Sequence, residues 1–297
     1  MRGEKQKPGL ESRTNGFASG ITTCRRCGVI GLLVSSSLIP PPSSLAWAGH
    51  PFITDDAGTQ GKGNWQLELM AQRDHHDRTA DTGAGPVQQR SRSTMLNPVL
   101  TYGLLDSLDV AFGLNHLRYQ VTENGMIGSE ASGTSDSTLE LKWRMYEKDG
   151  LSLALKPGLT IPTGDENRGL GAGKTSWGIN LIADYEAEPW VWLANVAYNR
   201  ARYKLPQDQL DNSRDLWRVS GGVEYIVRKE LRLAGELGVR TTESRNDPFL
   251  PGRHARFAML GLIYSPTEKL DFDVGFRKRL NRAETDKTFL VGATIRW

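Results

Sequence analysis

Cysteine is almost missing from this chain. Its 297 residues hold two, Cys24 and Cys27, and both fall in a stretch that reads as a targeting segment. Arg25 and Arg26 precede an apolar run from Val29 through Leu33 to Ile39, and Ala46-Trp47-Ala48 follows. Charge, apolar core and A-x-A site in that order mark a secretory signal peptide, with cleavage expected after Ala48. Cys24-Arg25-Arg26-Cys27 imitates a redox or metal CxxC, but it leaves with the leader. The exported chain, from residue 49, has no cysteine at all, which excludes disulfides as its staple.

Long apolar runs are missing too. No stretch after residue 48 approaches eighteen apolar residues, and Pro40, Pro41 and Pro42 end the leader's own run. A helical membrane protein is excluded. Charge of one sign is also lacking. Residues 1–48 take six of the 37 Lys/Arg and two of the 34 Asp/Glu, leaving 31 bases against 32 acids. The basic balance belongs to the leader, and no nucleic-acid partner is implied. Helical periodicity is absent throughout.

What is present is alternation. Strands are expected near 63–74, 91–103, 108–119, 135–147, 151–162, 174–187, 190–202, 215–228, 231–242, 254–265, 269–279 and 287–297. Short connections hold turn residues, such as Asp106-Ser107, Lys148-Asp149-Gly150 and Glu188-Pro189. Long ones, around 75–90, 120–134, 163–173, 203–214, 243–253 and 280–286, are polar and glycine-rich. The fold class is all-β: an antiparallel up-and-down transmembrane barrel of about twelve strands, with short periplasmic turns and long extracellular loops. Residues 49–62 are expected as a periplasmic lead-in and 63–297 as the barrel.

The faces separate by phase. Leu139, Leu141, Trp143 and Met145 oppose Glu140, Lys142 and Arg144; Leu270, Phe272, Val274 and Phe276 oppose Asp271, Asp273 and Arg277. The polar phase supplies the acids Glu68, Asp109, Glu140, Asp184, Glu224, Glu236, Asp271 and Asp273. It supplies the bases Lys142, Arg144, Lys156, Arg218, Arg232, Arg240, Arg277 and Arg296. This balanced set is expected to line a wet lumen and to pair across it, narrowing or closing the pore, or to form structural ion pairs.

Aromatic spacing favours a membrane over a soluble sandwich. Trp177 and Tyr185, Trp190 and Tyr198, and Trp217 and Tyr225 each stand eight residues apart on an apolar face. Eight residues rise ~26 Å, or ~20 Å along the normal when tilted by ~40°, close to the ~25 Å between aromatic girdles. Antiparallel order groups Tyr102, Tyr185, Trp190, Tyr225 and Trp297 at one rim, and Trp177, Tyr198 and Trp217 at the other. Phe289, Val291, Ala293, Ile295 and Trp297 alternate to an aromatic end. That end resembles the signal read by the barrel-assembly machinery.

A family resemblance sits on four segments. They are His50-Pro51-Phe52-Ile53-Thr54-Asp55-Asp56-Ala57-Gly58-Thr59-Gln60-Gly61-Lys62-Gly63-Asn64, Tyr102-Gly103-Leu104-Leu105-Asp106, Pro162-Thr163-Gly164-Asp165 and Gly261-Leu262-Ile263-Tyr264-Ser265-Pro266. Together they resemble the outer-membrane family named Putative MetA-pathway of phenol degradation, over essentially all of 50–297. The resemblance implies passage of small molecules connected with aromatic or phenolic degradation, and it carries no catalytic residues.

Three chemistries were weighed against the residues. Gly169-Leu170-Gly171-Ala172-Gly173-Lys174-Thr175 imitates a phosphate loop, but Arg168 replaces the first glycine and a strand follows, so a flexible loop is expected. Asp74-His75-His76-Asp77 would chelate a metal poorly, because adjacent strand residues face opposite ways. A solvated loop tip is expected there. An outer-membrane hydrolase needs a hydroxyl beside its histidine, and His116 has Arg118 at that position. The expected function is therefore a non-enzymatic outer-membrane channel or transporter, with no catalytic residue, metal or cofactor. Its partners would be outer-membrane lipid, the assembly machinery and a small solute. A closed structural or surface-interaction barrel is the alternative, and a hydrolase the less favoured one.

Overall fold

The computed structural model describes residues 51–83 and 85–297. The expected leader and its cleavage site lie outside the described residues. Fourteen strands form one antiparallel sheet that closes on itself. In order they are β1 (Trp65–Asp81), β2 (Pro86–Leu105), β3 (Leu108–Gly113), β4 (His116–Glu123), β5 (Met126–Thr134), β6 (Ser137–Lys148) and β7 (Leu151–Ile161). There follow β8 (Ser176–Ala187), β9 (Trp190–Arg200), β10 (Asp215–Arg228), β11 (Leu231–Thr241), β12 (His254–Thr267), β13 (Leu270–Arg279) and β14 (Lys287–Arg296). The one helix of the element order, α1 (Pro206–Asp211), and a 3-10 turn at Glu166–Arg168 sit in the long loops.

Twelve staves build the wall. β3 and β4 both pair with β2, one beyond the other. β6 pairs with β3 and β5 with β4, so each of these two staves is a strand interrupted once. The interruptions, at Leu114-Asn115 and Ser135-Asp136, lie side by side. Asn97 Nδ2 donates to Asn115 Oδ1 at 2.6 Å, and Asn115 Nδ2 donates to the Asp136 carbonyl at 2.6 Å. β1 closes the barrel on β14. At that seam Trp65 N donates to the Trp297 carbonyl at 2.9 Å, and Trp297 N returns the bond at 3.0 Å.

Two expected loops are strands. The 75–90 stretch continues β1 and β2, paired down to Asp81 and Pro86. The 120–134 stretch is the β4–β5 hairpin, turning at Asn124-Gly125 with φ 49° and 85°. Both residues need the left-handed region, which is what Asn-Gly supplies in a two-residue hairpin. Beyond the apolar band the faces of these strands no longer separate into an apolar and a polar one, so hydrophobic alternation fades while the backbone ladder continues. Asp74-His75-His76-Asp77 therefore lies within β1 rather than at a loop tip. His76 is buried and stands 3.8 Å from Asp286, while His75 faces outward.

Leu69, Leu237, Leu260, Phe272, Val274 and Val291 are all exposed on the outer face of the wall. Tyr198 is in ring contact with both Trp177 and Trp217 on that face. Trp65, Tyr102 and Trp297 form a second group by the short turns, and Trp190 and Tyr225 a third. Tyr185 is exposed one strand from Trp190.

Candidate functional site: a filled lumen

The inward face holds a guest made by the chain itself. Residues 51–60 join no strand, so their backbone N–H groups need partners from elsewhere. The wall's carboxylates supply them. Ile53 N and Thr54 N donate to Glu236 at 3.0 and 2.8 Å. Ala57 N donates to Asp184 Oδ1 at 2.9 Å, and Gln60 N to Asp109 Oδ2 at 3.0 Å. The Thr54 hydroxyl lies 2.6 Å from Glu236 Oε1 and 2.7 Å from Ser220 Oγ. Asn195 grips Asp55 twice, accepting from its N at 2.8 Å and donating to its carbonyl at 2.9 Å. Asn180 in turn donates to the Asn195 oxygen at 2.9 Å. The expected periplasmic lead-in is thus seated along the inner wall.

Asp55 is the segment's charged anchor. Lys142 Nζ reaches one of its oxygens at 2.8 Å and Lys156 Nζ the other at 2.7 Å. Lys156 also meets Glu140 Oε2 at 3.0 Å. The carboxylate is fully buried, and two cations with backbone support are what such burial requires. Phe52 is the apolar anchor. It is fully buried against Met70, Leu193, Ala234, Met259, Ile263 and Leu290, all from the wall.

Of the expected lumen residues the eight acids, Lys156 and Arg277 are buried and Lys142, Arg144, Arg218, Arg232, Arg240 and Arg296 half-buried, but few pair across the barrel. Arg232 bonds Glu224 on the adjacent strand at 2.8 Å, and Arg296 meets Asp271 at 2.7 Å. Arg144 reaches the Asp106 carbonyl at 3.2 Å, at a short turn. Asp273 and Arg277 are buried, and Arg277 Nη2 donates to Thr288 at 3.2 Å. Inserted chain, rather than a set of cross-lumen ion pairs, occupies this part of the interior. The acids Glu68, Asp109, Glu140, Asp184, Glu224, Asp271 and Asp273 line one cavity of about 460 Å³ beside the segment. Arg218, Arg240 and Arg277 lie outside its lining.

Toward the long loops the chemistry inverts. Arg78 donates to the Phe249 carbonyl at 2.9 Å, the Glu284 carbonyl at 2.6 Å, the Arg282 carbonyl and Asp286. Arg240 clasps Glu284 with bonds of 2.7 and 2.9 Å. Burial works to raise the Glu284 carboxyl, but Arg240 and Arg277 prevail and hold it below the ordinary carboxylate range. Residues 163–173 are pinned by Asp136, whose two oxygens accept Gly164 N at 3.0 Å and Ala172 N at 2.8 Å. Leu170 of this loop packs on Met95, Leu117, Tyr119, Val121 and Ala131. The phosphate-loop imitation is this docked connection, and β8 follows it.

Ser132 lies across from His116, 3.4 Å from Nε2, a neighbour that sequence spacing does not reveal. No other side chain among the described residues orients the imidazole, so the pair makes no triad. Among the described residues no group of three or more His, Cys, Asp or Glu side chains converges as a metal site.

A closed antiparallel barrel with a charged interior and an apolar, aromatic-banded exterior is the architecture of bacterial outer-membrane channels. Residues 48–297 match the family described as "Putative MetA-pathway of phenol degradation", and the chain belongs to it. Among solved structures it is similar to the COG4313 outer membrane channel from Pseudomonas putida F1, at 18% identity and TM-score 0.58, covering 82% of this chain and 98% of that one. It is also similar to the NanC porin, at 12% identity and TM-score 0.49, covering 77% and 98%. The toluene transporter TodX of Pseudomonas putida gives 10% identity and TM-score 0.45, covering 79% and 88%. No curated protein matches.

Proposed function

We propose that this protein is a passive outer-membrane channel for small solutes whose lumen is closed at rest by residues 51–60. One observation carries the reading. The segment is held by side chains and not by strand pairing, so it can leave without breaking the barrel's ladder. The wall behind it is polar and charged, which suits water once it leaves. Aromatic or phenolic solutes are the class that the family's description suggests. The leader is removed after Ala48, lipid contacts the aromatic bands, and the assembly machinery reads the strand ending at Trp297.

Deletion of 51–60 tests this in planar bilayers. The full chain is expected to show low or flickering conductance and the deletion a several-fold larger steady one. Liposomes carrying the deletion are expected to admit phenol faster. A deletion that folds and still conducts no more than the full chain favours the second reading, a closed structural barrel. The tight seating of Phe52 is the observation on that side.

A further inference from the structure

The cavity beside the segment carries an imbalance that the whole lumen does not. Ten carboxylates line it, from Asp55 through Asp273, against four bases: Lys142, Lys156, Arg232 and Arg296. Every base is already committed. The two lysines share Asp55, Arg232 holds Glu224 and Arg296 holds Asp271. Asp109 and Asp184 receive backbone N–H groups, which carry no full charge.

Glu68 receives nothing. It is 7% exposed, it lines the cavity, and it makes no hydrogen bond or ion pair with any described residue. Lys142 and Lys156 are within electrostatic reach of it, yet both are spent on Asp55. Glu140 Oε1, also on the cavity, is buried and accepts no hydrogen bond among the described residues. A carboxylate that faces a cavity with no cation of its own is a ready partner for a cation from outside. The rest of the lining includes Phe52, Val99, Val191, Leu193 and Ile263. An apolar wall facing an acidic one suits an amphipathic ligand, and about 460 Å³ is in the range of small-molecule sites.

We propose that this cavity binds a small organic cation: an ammonium group directed at Glu68, on a compact apolar or aromatic body resting against Phe52 and Ile263. Glu186, which is exposed, and Asp56, which is half-buried, also line the cavity. The proposal narrows the solute class of the channel reading, and it rests on that reading only for the cavity's place in the solute's path.

Isothermal titration of the full-length protein in detergent tests it, with benzylammonium chloride, benzyl alcohol and sodium benzoate as probes. Benzylammonium is expected to bind saturably and at least ~10-fold more tightly than benzyl alcohol, since a charge-assisted bond separates them. Benzoate is expected to bind most weakly. Glu68→Gln keeps the shape and removes the charge. It is expected to lower benzylammonium affinity ~10-fold and leave benzyl alcohol unchanged, with heat-modifiable gel migration confirming a folded barrel. Glu68→Asp is expected to recover part of the loss. Absent benzylammonium binding, equal binding of the charged and neutral probes, or equal binding by wild type and Glu68→Gln would overturn the proposal. None of these outcomes involves flux, so they are independent of the conductance of the 51–60 deletion.

Discussion

The two halves of the lumen both hold inserted chain through wall side chains, but they grip different backbone groups. Near the short turns the wall offers carboxylates, and these hold backbone N–H groups of the inserted segment. Near the long loops Arg78 holds backbone carbonyls of 243–253 and 280–286, while Asp136 accepts two backbone N–H groups of 163–173. An extended chain inside a barrel presents both kinds of group, and neither can be left bare. The charge of each wall side chain selects which kind it grips, and only the loop half uses both signs on inserted backbone. Charge also selects what is left over. The turn half keeps surplus acid, and in the loop half two nitrogens of Arg218 have no hydrogen-bond partner among the described residues.

The loop half is the easier one to break at a single residue. Arg78 joins β1 to two separate loops through one guanidinium whose side chain is 4% exposed. Arg78→Ala removes every one of these bonds and leaves Asp286 with Arg279 as its remaining guanidinium. The expected cost is ~3–5 kcal/mol, as for other broken buried pairs. It would be read as a lowered urea midpoint in detergent or vesicle refolding. Protease is expected to cut within 242–253 first, while residues 51–60 stay protected. Simultaneous exposure of both regions would show that the two halves hold their inserted chain as one unit rather than separately.

Asp55→Asn addresses the turn half. The amide keeps the shape, but it cannot satisfy Lys142 and Lys156 together. A bond to a charged group is worth ~1.5–3 kcal/mol, and Lys156 retains Glu140, so the loss is expected at about that size. The barrel itself is expected to persist, with the segment becoming accessible to protease from the turn side and conductance rising. Loop cleavage at 242–253 is expected to be unchanged. If the segment stays protected, Phe52 and the backbone bonds suffice, and Asp55 is a passenger.

Much of the wall was legible from alternation, because one face meets lipid and the other meets charge. Trp177, Tyr198 and Trp217 could be aligned from spacing alone, since the antiparallel register follows from the short turns. The outer ends of β1 and β2 were not legible, because above the apolar band nothing distinguishes their faces. The β4–β5 hairpin did leave a signal in Asn124-Gly125, within a stretch otherwise polar enough to pass for loop. The inserted segment was invisible to periodicity. It has none, and its partners lie 49 to 183 residues away. Its trace is in the wall. A side chain at Gly261 would come within 2.4 Å of Pro51, and an inward glycine within a strand marks the close approach of another chain. The inward acids were identified, but their use as acceptors for backbone N–H groups, rather than as members of cross-lumen ion pairs, depends on a guest that residue counting does not include.

The smallest expected effect is the most discriminating. Asp184 accepts one bond, from Ala57 N at 2.9 Å, and has no side-chain cation in contact. If the wall acids are present to hold backbone, Asp184→Asn with its carbonyl turned to Ala57 should serve nearly as well. The change from a charged to a neutral acceptor is then expected to cost only ~0.5–1.5 kcal/mol. Segment protection should stay near wild type, and stability should lose its dependence on ionic strength at that site. If instead the acids are present mainly for their field, drawing a cation into the cavity, the same substitution leaves stability untouched and weakens benzylammonium binding. Its size would approach that of Glu68→Gln, because both carboxylates line one space. The two readouts move in opposite proportion, so a single conservative change separates Asp184 as a clasp for the inserted chain from Asp184 as part of the acidic wall that a solute meets.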